Sequence, residues 1–297
     1  MRKYNLLLKL AGLALLLFFQ ASCTTTVPDR SSTVTGVIRG DVRWQGTVFV
    51  GGDVVVDEAA RLVIAPGTEV VFLPPATGQD LFTERPNFPG SELIVWGTLS
   101  AEGTAAMPII FRYIDPDAPA GSWGGINLRE SPDVRFRYVR ISQANSAIHS
   151  HKSKAVIEES RIENNLFGLR FNTTDFLIQN NLFRNNGTAI RFHFGSPTIY
   201  NNVITDNETG FFITSYPSMY RIEGNNIVGN RRNAVVLGEE VQDDVLMAGN
   251  YWGSVNPEVI AASLFDGRKD GYHYLGKVLF IPFAEDPFLP SGATWAP

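Results

Sequence analysis

The chain has 297 residues, 44% of them hydrophobic and 19% charged, and a formal net charge of −5. That weakly acidic balance excludes the broad basic field on which nucleic-acid binding depends. With a single cysteine in the chain no intrachain disulfide can form, so packing and hydrogen bonding must hold the fold.

Residues 1–22 read as a lipoprotein-type signal peptide. Arg2 and Lys3 provide the positive start, Leu10 to Phe19 a ten-residue apolar core, and Ala21-Ser22 the small residues before a cleavage point. That apolar run is too short to cross a bilayer core of about 30 Å. Cys23 stands where a lipid would be attached, although Gln20 occupies the place where Leu is usual. Two readings follow: lipidation at Cys23, or an incidental cysteine in an ordinary cleaved leader. Residues 23–33 are a polar tether.

Val34 to Val56 reads as the first coil of an elongated domain over residues 34–285, with Trp44 and Phe49 covering its open end. Two insertions follow. Pro74 to Gly90 is rich in Pro and Gly and carries Phe82 and Phe88, which either stack on sugar or tuck the loop against the wall. Asp115 to Gly121 reads as turn chemistry.

Beyond these the chain repeats. Ile157, Ile178, Ile199 and Ile222 begin four copies of one phrase, and Leu169, Ile190, Phe211 and Val235 lie near their ends. The interval is 21 residues, lengthening to about 24 in the last copy, and Phe136…Ile141…Ala147-Ile148-His149-Ser150 is an upstream copy. Short alternating runs such as Leu169-Arg170-Phe171 argue for strands. Thirteen Asn between Val156 and Asn230 argue for turns. Helical solenoids lack such runs. A right-handed parallel β-helix fits, with coils about 4.8 Å apart and like side chains in vertical ladders. The pairs Asn180-Asn181, Asn201-Asn202 and Asn225-Asn226 then stack amide on amide in a turn. Ten or eleven coils would account for the length.

At the end, Asn256-Pro257-Glu258 starts a helix, expected to run from Val259 to Phe265 across the last coil. Lys277 to Phe283 reads as a closing strand, Trp252 as part of the cap or as a sugar platform, and residues 286–297 as a tail.

Four phrases carry a resemblance beyond the repeat: Arg61 to Phe72 (RLVIAPGTEVVF), Leu93 to Thr104 (LIVWGTLSAEGT), Trp123-Gly124-Gly125-Ile126 and Gly249-Asn250-Tyr251-Trp252-Gly253. With them the chain resembles the pectin-lyase-like right-handed parallel β-helix proteins of secreted bacterial origin. The resemblance implies an all-β solenoid with an N-terminal cap and a short C-terminal capping helix and strand. It implies no single activity, because this scaffold hosts lyases, hydrolases and adhesins.

Enzymes of that superfamily resemble one another in a Ca²⁺-binding carboxylate cluster, or in paired aspartates with a Gly-His-Gly. Here the outward register Glu158, Gln179, Tyr200, Glu223 holds two acids too far apart for one ion. Asn172-Thr173-Thr174-Asp175 is a poor match to the hydrolase motif, and Asp206 with Glu208 reads as a solvated turn. His149, Arg170 and Arg191 fall at equal steps on one outward register, with Phe212 next. Either they form a groove for an anionic ligand, or they are a solvated face balanced by Glu158, Glu159 or Glu163. His151 and His193 are read as lacking a shared register with metal spacing, and no metal or cofactor is expected.

The sequence therefore predicts a monomeric, non-catalytic β-helix lipoprotein of the bacterial cell envelope. It would be anchored through Cys23, or secreted if that residue is not lipidated, and would bind polysaccharide or an envelope protein. The alternative is a lyase or glycoside hydrolase acting on an acidic polysaccharide.

Overall fold

A computed structural model describes residues 33–76, 88–217, 219–293 and 295. Cys23, most of the tether and Phe82 lie outside the described residues.

The repeat winds a right-handed parallel β-helix. One coil is Lys154–Glu158, Arg161–Glu163 and Phe167–Asn172; the next is Asp175–Gln179, Leu182–Arg184 and Thr188–His193; a third is Thr198–Tyr200, Val203–Thr205 and Thr209–Ser215. These strands build three faces, here called first, second and third in chain order. The pairings between these coils are parallel. Ile157 aligns with Ile178, Ile199 and Ile222 on the first face. On the third, Ile148 aligns with Leu169, Ile190, Phe211 and Val235. All are buried. Each such side chain removed from water contributes roughly 1.5–3 kcal/mol, and Phe171 stacks on Phe192 at 5.2 Å within the column.

Single residues in left-handed backbone turn the corners: Glu159, Asn180 and Asn201 between first and second faces, and Asn164, Asn185 and Asp206 between second and third. The residue after each corner points inward as a ladder rung. Asn181, Asn202, Asn225 and Asn250 form one amide ladder, with side-chain contacts of 2.9–3.0 Å. A second ladder, Asn165, Asn186, Asn207 and Asn230, goes beyond the sequence expectation. The pair Asn225-Asn226 departs from it. Gly224 takes the left-handed corner there (φ 67°), so Asn225 enters the ladder and Asn226 moves onto the second-face strand beside Val203.

The column has about nine coils rather than ten or eleven, because the two insertions and the C-terminal cap consume chain without adding layers. At the N-terminal end Trp44 points inward and is buried, aligned with Ile64. Phe49 does not cover the opening. With a period of two, Val48 and Val50 take the inward positions, and Phe49 stands outward beside Val71. At the other end the helix is Pro257–Ala262, capped by the Asn256 side chain, which accepts from the Glu258 N–H. It stops short of Phe265 because Leu264–Phe265 pairs with Val235 and Val236, burying Leu264 at the end of its ladder. Of the expected closing strand only Val278–Leu279 pairs, with Val245–Leu246. Trp252 is buried against Phe280.

The chain then doubles back along the second face. Phe288 N–H donates to the Asn226 side chain, Gly292 N–H to the Asn201 carbonyl, and Trp295 Nε1 to the Glu159 carbonyl. The tail thus crosses successive coils of the second face and leaves the third open.

Candidate functional site

Columns of outward side chains run down the third face. One is Asn127, His149, Arg170, Arg191 and Phe212, aligned Cα to Cα on neighbouring coils. The register read from equal spacing is therefore present: His149, Arg170 and Arg191 stand one above another. Adjacent strands put their Cα atoms about 4.8 Å apart.

The two guanidiniums have no carboxylate partner among the described residues. Glu158 pairs with Arg137 and accepts from Gln179 on the first face. Glu159 accepts from Asn180 in the corner. Glu163, 1% exposed, lies on the second face between Arg140, Arg161 and Arg184. The acids expected to balance the arginines are thus engaged elsewhere, and the solvated-face reading fails on that point. Aromatic rings flank the pair instead. The Arg170 guanidinium lies 5.8 Å from Phe88 and 5.6 Å from Phe167, and that of Arg191 lies 5.9 Å from Phe167 and 5.1 Å from Phe212. Burial lowers both arginine pKa values, and for Arg170 the neighbouring Arg191 charge adds to the effect.

Phe88 returns from the 74–90 insertion and is buried edge-on against His149, ring centroids 5.2 Å apart. Of the two readings of Phe88, the structure takes the tucked one, and the wall it tucks against is this site. His149 is itself buried. Its Nδ1 lies 3.0 Å from Asn127 Oδ1, an acceptor, so Nδ1 carries a proton. Burial first, then the charges of Arg170 and Arg129, push its pKa down to about 3.

A parallel column is Arg129, His151, Asn172, His193 and Ser215, with Glu240 beyond. His151 and His193 share a register, though not one with metal spacing. They stand two coils apart, and among the described residues no group of His, Cys and carboxylate side chains could hold a metal ion. At the far end a relay missed by sequence reading is present. His193 Nδ1 is 2.7 Å from Ser215 Oγ, and Ser215 donates to the Glu240 carboxylate. Ser215 therefore accepts from Nδ1–H. Unequal intervals, with register shifts at both steps, hide this alignment from the sequence.

Together these side chains line a cleft of about 680 Å³ bounded by Arg129, His151, Arg170, Arg191, His193 and Glu240. The remaining sequence candidates lie apart from it. Asp115 Oδ1 accepts from Asp117 N–H in its turn, and Glu208 pairs with Arg231. The cleft can grip a planar anion with two guanidinium forks at one end and presents the His193 imidazole at the other.

Residues 121–250, which include the residues that line the cleft, match the family described as right handed beta helix region. No curated protein matches the chain, and no solved structure does.

Proposed function

We propose that the third-face cleft binds an acidic polysaccharide without cleaving it, as part of a bacterial cell-envelope lipoprotein. One observation carries the reading: Arg170 and Arg191 stand half-buried on adjacent coils with no carboxylate partner among the described residues. Like charges this close, partly withdrawn from water, are sustained where an anionic partner completes them. A stack of coils also offers a polymer a regular track along the axis.

Titrating the protein with a polyuronate and with a neutral glucan separates the possibilities. Binding of the polyuronate alone is expected, weakening steeply with salt and falling at least tenfold in Arg170→Gln and in Arg191→Gln. Equal binding of both polymers, or unchanged affinity in the two variants, contradicts the reading.

The relay from Glu240 through Ser215 to His193 supports a second reading, in which the same cleft is a lyase and Nε2 removes a proton from the bound uronate. Unsaturated uronate products, lost in His193→Gln, would establish it. Envelope attachment rests on Cys23, and Cys23→Ser is expected to release the protein from membranes. Unchanged retention would count against lipidation.

A further inference from the structure

Phe194 is an unusual residue to find where it is. It follows His193 at the corner that closes the third face, in left-handed backbone with φ 57°. Its counterparts one and two coils earlier are Thr173 and Lys152, at φ 50° and 49°. The backbone bonds Lys152 N–H to Asn172 C=O and Thr173 N–H to His193 C=O tie these corners together. Bulky side chains rarely adopt this conformation, and Asn or Gly would sit there more easily. Strain of this kind persists where something other than local stability keeps it.

Packing does not explain it. Phe194 is 48% exposed, and its ring contact among the described residues is the His193 imidazole, edge-on at 4.4 Å. The pairing of His193 with Ser215 brings the residue after each, Phe194 and Tyr216, to the same corner of adjacent coils. Tyr216 is 39% exposed and meets Tyr220 edge-on at 6.2 Å. Phe194 and Tyr216 thus follow paired residues of adjacent coils, and both are partly exposed. On the strand that leads into Phe194 stands Arg191, whose neighbour one coil away is Arg170.

The geometry points to Phe194 and Tyr216 as a sugar-stacking rail that fixes how a polymer lies in the cleft. The inference deepens the acidic-polysaccharide reading and rests on it. The occupant is a polyuronate strand laid along the solenoid axis, because the cationic pair is stacked along that axis and the two aromatic residues follow paired positions on adjacent coils. Its carboxylates meet Arg170 and Arg191, and the apolar C–H faces of its rings meet Phe194 and Tyr216. The arginines supply charge recognition, which a free uronate shares. The rail supplies recognition of the chain.

The test measures affinity for polygalacturonate and for monomeric galacturonate in the native protein, Phe194→Asn, Tyr216→Ala, Arg170→Gln and Arg191→Gln, together with melting temperatures. Phe194→Asn should lose about tenfold in affinity for the polymer and less than about twofold for the monomer. Its melting temperature should equal or exceed the native value by about 2–4 °C, because Asn relieves the left-handed strain. Tyr216→Ala should likewise lose polymer and keep monomer. Both arginine variants should lose both ligands. Full polymer affinity in Phe194→Asn and Tyr216→Ala, with the arginine variants still impaired, overturns the rail and leaves the anion site standing. A melting temperature several degrees lower in Phe194→Asn also overturns it, by showing the ring to be a packing element. Native affinity in the arginine variants removes the reading on which the rail rests.

Discussion

Arg191 is aligned with Arg170 across neighbouring coils, and among the described residues neither meets a carboxylate. Two partly buried cations in one column work against folding. Arg191→Gln is therefore expected to stabilise the protein at low salt, by roughly 0.2–1 kcal/mol, the size of an exposed charge pair. The gain should shrink as salt rises to physiological strength, where the screening length is about 8 Å. Thermal melts at low and high salt check this, and a destabilised variant at both would show that packing of the arginine outweighs its repulsion.

Glu163 presents the reverse arrangement. Its carboxylate is 1% exposed, with Arg184 at 2.6 Å, Arg161 at 3.2 Å and Arg140 at 3.7 Å. Glu163→Gln leaves three guanidiniums around a neutral amide and is expected to cost roughly 3–5 kcal/mol. Glu223→Gln, on an exposed pair with Arg221, should cost far less. Denaturant unfolding of the two variants under one buffer gives the comparison, and similar losses would contradict the distinction.

His149 makes stability depend on pH. Its folded pKa, about 3, lies below the ordinary value of 6.5, so the unfolded chain binds a proton that the folded chain refuses. Stability from this group is full above about pH 6.5 and falls as pH drops toward 3, by up to about 1.4 kcal/mol per pH unit. His151, whose pKa burial also lowers, adds in the same direction. His149→Gln should flatten the acid limb of a stability–pH curve, and an unaltered limb would place the acid sensitivity elsewhere.

The amide ladder and the corner beside it should respond differently. Asn202 is fully buried; it donates to Ile178 O, Tyr200 O and Asn225 Oδ1 and accepts from Asn181. Removing it in Asn202→Ala strands several buried polar groups, at an expected cost of about 3–5 kcal/mol. Asn201 is the left-handed corner itself, at φ 54°. Asn201→Gly should be close to neutral and Asn201→Ala should cost about 1–2 kcal/mol. Chemical denaturation of the three variants would test the ranking, and an Asn201→Ala loss exceeding that of Asn202→Ala would refute it.

A constant interval between like residues is enough to read the column from sequence. When every coil has the same length, equal positions must align, so the isoleucine ladders and the His149, Arg170, Arg191 register follow from counting. The same logic foresees an Asn ladder but misplaces its last pair, because one glycine, Gly224, takes the corner and moves the count by one. Contacts that ignore the period are invisible to it. Phe88 reaches His149 from a loop well upstream in the chain. Ser215 and Glu240 join His193 only because register shifts absorb unequal intervals. Trp295 folds back to cover the coil of Arg161 on the second face. Which acids would answer which arginines is likewise undecidable from spacing, since a coil of this size brings every side chain near several others. Local periodicity thus determined what stacks on what, while loops, bulges and the returning tail decided which face stayed open and which of its charges went unanswered.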